Sequence, residues 1–241
     1  YAALFARTWS SHEVRARVVG LRRETSDTVS LFLEPNQNWR GFRAGQHVSF
    51  TVRIDGVLHT RTFSISSPPR AGTPLRITIR KFPGGRVSTW AFERAHRGSI
   101  VVLGQPAGEF VVPSPLPSRL LFVSGGSGIT PMASLARELL HSGYSGDIAC
   151  LHYARNEVIF AEELTELAEE FPNFRFLPQL TLNTTPKPRL SLSLLDTVQP
   201  SWRSSDAFVC GPSALQQDFT QLWAAEGLPE HRLHVERFTS Y

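Results

Sequence analysis

The sequence is short of cysteine: Cys150 and Cys210 are the only two in 241 residues. That excludes a disulfide framework, a four-cysteine zinc site and a ferredoxin-type iron–sulfur cluster held by this chain alone. Lysine is almost missing too, with Lys81 and Lys187 the only two among 25 basic side chains. Positive charge therefore rests on arginine, whose planar fork grips phosphate at two points. No apolar run reaches the ~18–20 residues that a membrane-spanning helix needs. No secretory signal pattern opens the chain, so a cytoplasmic protein without a membrane span is expected. No dense basic run is interleaved with aromatics, and 25 basic against 21 acidic side chains leave a formal charge of only +4. This argues against nucleic acid and for small anionic ligands. The eight histidines are scattered without ligand spacing, so no metal site is expected. Nor is there a Ser-His-Asp, Cys-His or paired-carboxylate arrangement. Tyr1 rather than Met stands first, as in a trimmed chain, and residues 1–12 match no assignable element.

What is present has two textures. The length suits two domains of ~100–130 residues each. In the first half, Val14–Gly20, Thr28–Glu34, His47–Arg53 and Leu75–Arg80 alternate apolar and polar residues, the period of half-buried strands. Turn signals at Pro35-Asn36, Asp55-Gly56, Pro68-Pro69 and Pro83-Gly84-Gly85 separate them. With one helix over Val87–Ala95, this half reads as a six-stranded antiparallel β-barrel. Pro113-Ser114-Pro115-Leu116-Pro117 then breaks regular structure and marks a boundary, giving domains 1–114 and 115–241.

Beyond it, Leu120–Ser124 is a continuous apolar run suited to a strand buried on both faces. A helix with 3–4 spacing follows over Ile129–His141. Strands at Ile148–Tyr153, Phe174–Leu180, Asp206–Cys210 and Leu233–Glu236 alternate with helices at Ala161–Phe171, Leu190–Val198 and Pro212–Ala225. That alternation predicts a doubly wound parallel sheet.

Three loops carry the chemistry. Gly125-Gly126-Ser127-Gly128-Ile129-Thr130-Pro131 joins a strand to a helix. Its glycines permit a tight turn and let backbone N–H groups approach a pyrophosphate at the positive helix end. A plain strand–helix turn is the alternative. Pro83-Gly84-Gly85-Arg86-Val87-Ser88-Thr89 opens the helix of the barrel half, either as an ordinary capped start or as an anion site with Ser and Thr hydroxyls as further donors. Arg61-Thr62-Phe63-Ser64-Ile65-Ser66-Ser67 sets an arginine, hydroxyls and an aromatic along one strand, able to hold a phosphate and stack a flat ring, or merely to face water.

These loops, in this order with Cys210-Gly211-Pro212 and Glu236-Arg237-Phe238, resemble the ferredoxin–NADP reductase superfamily over nearly the whole chain after residue ~40. The resemblance implies an FAD-binding barrel followed by an NAD(P)-binding sheet, with the cofactors meeting between them. It implies that Arg61 binds the FAD pyrophosphate, Phe63 stacks on the isoalloxazine and Ser64 hydrogen-bonds near its N5. The family usually carries Tyr where Phe63 stands, so one hydroxyl contact is lost. Thr62, Ser67, Ile79 and Lys81 join the FAD set, and Gly85, Arg86, Val87 and Ser88 supply the helix start. Gly125, Gly126, Gly128, Thr130 and Pro131 would hold the nicotinamide cofactor, while Cys210, Gly211 and Pro212 line its ring pocket. Phe238, rather than the terminal Tyr241, would cover the other flavin face. Ser64, Cys210 and Phe238 are the implied catalytic groups; Cys150 reads as packing.

After the second strand of the sheet, where an acidic residue would select NADH, stands Arg155, which favours NADPH and leaves NADH open. The implied activity is hydride transfer from NADPH to FAD, then single electrons to an iron–sulfur (2Fe-2S) ferredoxin serving an oxygenase or desaturase. That ferredoxin is a separate protein or a missing C-terminal domain; the chain itself is expected to be a monomer. Two alternatives stay open: a free-standing reductase of ferric chelates, quinones or oxygen, and a non-catalytic flavin- or nucleotide-binding regulatory module.

Overall fold

The computed structural model describes residues 10, 12–182, 184–185 and 188–238. Lys187, Tyr241 and most of the unassigned opening segment lie outside them. The chain forms two compact units, Tyr1–Val111 and Val112–Tyr241.

The first unit is a six-stranded antiparallel sheet of β1 (Val14–Thr25), β2 (Thr28–Pro35), β3 (His47–Ile54), β4 (Val57–Ser64), β5 (Leu75–Arg80) and β6 (Ile100–Leu103), in the order β4-β3-β6-β1-β2-β5. Alternate residues such as Val14, Ala16 and Val18, or Val48, Phe50 and Val52, are buried and form the core. Burying each such side chain contributes about 1.5–3 kcal/mol before entropy is counted. The β3–β4 hairpin turns on Asp55 and Gly56, with φ of 50° and 84°. Two successive positive φ values give the turn twist that matches a hairpin, which is why Asp-Gly stands there. The edge strands meet through the antiparallel bridge Ile65–Ile77, which closes the sheet into a barrel. Helix α1 (Arg86–Glu93) places Val87 and Ala91 in the barrel core.

The second unit is a parallel sheet of β7 (Arg119–Gly125), β8 (Asp147–Ala154), β9 (Phe174–Leu180), β10 (Asp206–Cys210) and β11 (Leu233–Glu236), in the order β11-β10-β7-β8-β9. Its helices are α2 (Ile129–His141), α3 (Ala161–Glu170), α4 (Leu192–Val198) and α5 (Ser213–Ala225). Leu121, Val123, Ala149, Leu151, Ala207 and Val209 pack on Leu195 and Val198 of α4 and on Phe219 and Trp223 of α5. The residues between them on each strand face the other way by the strand pleat, so both faces are covered and the strands read as continuous apolar runs. Chain order runs outward from β7 in one direction through β8 and β9, and in the other through β10 and β11. The β7–β10 junction is therefore the topological switch point, where such sheets bind ligands at the strands' carboxyl ends.

No helix among the described residues is long and apolar enough to cross a membrane.

Candidate functional site

In the first unit, the barrel closes at Ile65–Ile77 and β4 and β5 share no other bridge or ladder pair among the described residues. The two strands run antiparallel across that bridge. Arg61–Ser64 and Ile79–Lys81 therefore border the same open stretch of wall, against which α1 also packs. Phe63, Arg61 and His59 pair across the ladder with Val48, Phe50 and Val52. Cross-strand partners share a face, and Val48, Phe50 and Val52 are core residues, so the β4 trio looks toward the barrel interior. Phe63 is half-buried, held edge-on by Phe50 at 5.8 Å and 81°. Thr62 and Ser64 project to the other face, where the Ser64 hydroxyl is buried without a hydrogen-bond partner among the described residues.

The approach to α1 is built around Ser88. Its Oγ donates to Gly85 O at 3.1 Å and accepts from Phe82 N at 3.1 Å. A Cβ at Gly85 would lie 2.5 Å from that oxygen. The Ser88 hydroxyl, expected as a ligand donor, thus shapes the loop, and the Gly85 N–H is spent on Phe82 O. What remains for an anion is the first turn itself: the helix has no side-chain cap, so its leading backbone N–H groups are available. Arg86 and Arg61 are exposed. Of the other expected contacts, Ile79 is a core side chain, Lys81 pairs with Glu93 at 2.5 Å, and the Ser67 hydroxyl accepts from Arg76 N at 3.0 Å. These three organise β5 and its flanks rather than presenting free groups.

In the second unit, α2 is entered through a short 3-10 turn, Gly126–Gly128, again without a side-chain cap. Gly126 has φ of 54°. The turn meets the Cys210-Gly211-Pro212 turn at van der Waals limits. A Cβ on Gly128 would sit 2.2 Å from Cys210 O, one on Gly211 2.8 Å from Gly125 N, and one on Gly125 2.8 Å from Pro212 Cδ. Gly128 and Gly211 are needed here because two backbones touch at the switch point, and Gly125 because the Pro212 ring and the Leu215 side chain lie against it. Thr130 is buried and its hydroxyl donates to Ser127 O at 2.8 Å, tying the turn to the helix. The Cys210 thiol is fully buried; that burial, and then the charge of Glu236, push it well above its ordinary range, so it stays a neutral thiol. Arg155 is exposed just past β8, its carbonyl fixed by Leu182 N at 2.7 Å. Phe238 lies two residues past β11 and is 41% exposed.

The chain matches a family profile for an oxidoreductase FAD-binding domain over residues 16–112 and one for an oxidoreductase NAD-binding domain over residues 122–221. It is 30% identical over 239 residues to the ferredoxin reductase component of 3-ketosteroid-9-alpha-monooxygenase from Mycolicibacterium smegmatis, covering 95% of this chain and 67% of that protein. The chain belongs to the ferredoxin–NADP reductase superfamily. An NADPH oxidoreductase of Mycobacterium tuberculosis is 34% identical over 236 residues, 95% of this chain but only 61% of that relative. The fold of a superfamily member from Neisseria gonorrhoeae, a ferredoxin NADP+ reductase with bound FAD and NADP, superposes with a TM-score of 0.81 at 18% identity, over 95% of this chain and all of that one.

The residues fit the cofactors of the superfamily. FAD needs donors for a pyrophosphate, a surface for a flat ring and a hydrogen-bonding group at its edge. The uncapped α1, Arg61, the half-exposed Phe63 ring and the orphaned Ser64 hydroxyl offer these. A nicotinamide dinucleotide needs bare backbone at a switch point, which the interlocked glycine turns provide.

Five side chains were not singled out from the sequence. Ser124 Oγ and His152 Nδ1 are 2.8 Å apart, tying the carboxyl ends of β7 and β8 beneath the glycine turn. His59 Nε2 and the Tyr153 hydroxyl are buried without partners among the described residues. Gln216, on the buried stripe of α5 with Phe219 and Trp223, reaches two backbone carbonyls. A polar residue in phase with an apolar helical stripe was the one signal available in the sequence.

Proposed function

We propose that this chain passes electrons from NADPH through FAD to an iron–sulfur protein or domain that serves an oxygenase or desaturase. The observation that supports this reading is that each unit presents one element suited to a dinucleotide pyrophosphate: the uncapped start of α1 in the first unit, and the interlocked glycine turns in the second. A module that sensed a single ligand would need only one. The match to a relative named as a ferredoxin reductase component supports the acceptor class. With two cysteines, both buried, the chain cannot itself hold such a cluster. The reading takes the protein as a cytoplasmic monomer.

FAD supplies the chemistry of taking a hydride and giving up its electrons one at a time. The chain's residues bind and orient. Arg61 and the α1 N–H groups hold phosphate charge, Phe63 supports the ring on one face, Phe238 is assigned the other, and Ser64 donates to the ring edge. The Gly125–Gly128 turn holds the nicotinamide nucleotide's pyrophosphate, and Cys210, Gly211 and Pro212 shape the ring pocket. Arg155 is assigned the 2′-phosphate that distinguishes NADPH from NADH.

The test loads the chain with FAD and supplies NADPH or NADH with a plant-type ferredoxin, a ferric chelate or a quinone. NADPH should exceed NADH in kcat/KM by about tenfold or more, the worth of one charge-assisted hydrogen bond. Arg155→Ala should erase that preference, and ferredoxin should be the fastest acceptor. An unchanged preference in the variant sinks the Arg155 assignment, and chelate or quinone outpacing ferredoxin favours the free-standing reductase.

A further inference from the structure

The side chain of Gln216 is 7% exposed and its Nε2 donates to two backbone carbonyls, Gly211 O at 2.7 Å and Glu236 O at 3.1 Å. An amide NH2 has two protons, and both are used. The two carbonyls belong to separate functional segments. Gly211 is the centre of the turn after β10, with a φ of 149° that side chains rarely adopt, and a Cβ on it would lie 2.8 Å from Gly125 N. Glu236 ends β11 and leads directly to Phe238. Cys210 and Glu236 are register partners across the β10–β11 ladder, so beyond that last pair the ladder no longer holds the two chains together. Gln216 takes over from it. Its own N–H completes the first turn of α5 through Pro212 O at 3.2 Å, so the helix that follows the turn carries the clamp.

We propose that Gln216 is the positioning residue that sets the Cys210-Gly211-Pro212 turn and the Phe238 segment relative to each other, so that nicotinamide pocket and flavin-covering aromatic move as one piece. This rests on the reading that those segments serve the nicotinamide and the flavin. No other side-chain type of this size offers two donors and no charge. Methionine has neither donor, and asparagine is one methylene short of spanning both carbonyls.

The experiment uses the FAD-loaded chain and compares wild type with Gln216→Met and Gln216→Asn. FAD affinity, read from flavin fluorescence quenching, should stay within about twofold, because the groups assigned to its pyrophosphate and to one ring face, Arg61, the α1 start and Phe63, belong to the other unit. NADPH dissociation constants should change little. Flavin bleaching at saturating NADPH under anaerobic conditions should slow by about tenfold to a hundredfold, the usual cost of displacing a positioned reactant by a fraction of an ångström. The flavin difference spectrum produced by NADP+ should shrink in both variants. A purely structural role would lower the melting temperature and leave the saturated rate and the difference spectrum alone; that outcome overturns the proposal. If neither variant folds, the wild-type side-chain amide resonances of Gln216, identified by contacts to Gly211 and Glu236, decide: they should shift on NADP+ addition, and their constancy would overturn it. Wild type that bleaches with neither nucleotide refutes the functional reading itself, whereas wild type that bleaches beside unaltered variants refutes only the role of Gln216.

Discussion

Gly128→Ala should weaken binding of the nicotinamide nucleotide by about a hundredfold or more while leaving FAD uptake intact. The added methyl carbon would stand 2.2 Å from Cys210 O, 2.5 Å from Cys210 C and 2.8 Å from Gly211 N, all backbone atoms that no rotamer change can move. Gly128 itself has φ of −63° and ψ of −8°, which alanine adopts freely, so the requirement is for space and not for conformation. To admit the methyl, the β7–α2 turn and the β10–α5 turn must part at the switch point, where the pyrophosphate and the nicotinamide are to be held. Overpacking of this kind costs about 1–3 kcal/mol in a well-packed interior, and parting two backbones belongs at the upper end. Calorimetric titration with NADP+ should show at least about a hundredfold weaker binding, about 2.7 kcal/mol, with flavin fluorescence quenching as in wild type. NADP+ binding at wild-type strength would mean that the nucleotide does not use this turn.

The second large effect is on stability against pH. His152 is fully buried on β8, shares a hydrogen bond with Ser124 and stacks on Phe176 at 6.5 Å and 23°. Burial holds its imidazole down to a pKa of about 4, from 6.5 when unfolded, because the charged ring would lose water and gain no counter-charge. The unfolded chain therefore takes up a proton between pH 6.5 and pH 4 that the folded chain refuses. Stability falls as pH drops through that window, by roughly 1.4 kcal/mol per unit and about 3 kcal/mol in all. Above pH 6.5 both states are neutral at this site and the effect vanishes. Asp27, which Arg80, Thr28 and Thr25 hold below its ordinary range against the opposing effect of burial, loses its contribution only below the His152 window. Denaturant melts from pH 4.5 to 7.5 should show the slope in wild type and a flatter curve in His152→Gln, which keeps a polar group for Ser124 without a titrating proton. Equal slopes in both would assign the acid sensitivity elsewhere.

The parts of the fold that were legible in the sequence are those where burial is simple. β7 reads as a continuous apolar run because helices cover both its faces, β1 and β3 alternate because only one face is buried, and β2 alternates because its buried Thr28 and Ser30 are hydrogen-bonded through their hydroxyls. β4 was recognised only at its Arg61–Ser64 end. Val57, Leu58, Thr60, Arg61 and Thr62 are all exposed, since the strand borders the open seam of the barrel, and on its inward face only His59 and Phe63 are half-buried, too little to set a pattern. β6, Ile100–Leu103, is four apolar residues without alternation and too short to register. Glycine turns announce themselves because only glycine fits where a neighbouring backbone or a proline ring presses on the chain, so Gly125, Gly128 and Gly211 were found. Ser88 was identified, but its hydroxyl turned out to shape the loop, which residue type alone does not reveal. Cys210 was singled out for chemistry; its thiol is buried and stays neutral, and its carbonyl lies against Gly128. Gln216 shows in the sequence only as a polar residue in the apolar stripe of α5, and its role does not show at all. Its partners are backbone carbonyls five and twenty residues away, and a backbone acceptor leaves no signature in residue identity.

The central claim is that this one chain takes a hydride from a nicotinamide nucleotide into bound FAD. Anaerobic stopped-flow mixing of the FAD-loaded protein with NADPH, followed by absorbance in the visible flavin band, tests it most directly. Full bleaching in a single turnover is expected, faster with NADPH than with NADH. A flavin band that persists with both nucleotides, or a chain that takes up no FAD at all, would contradict it.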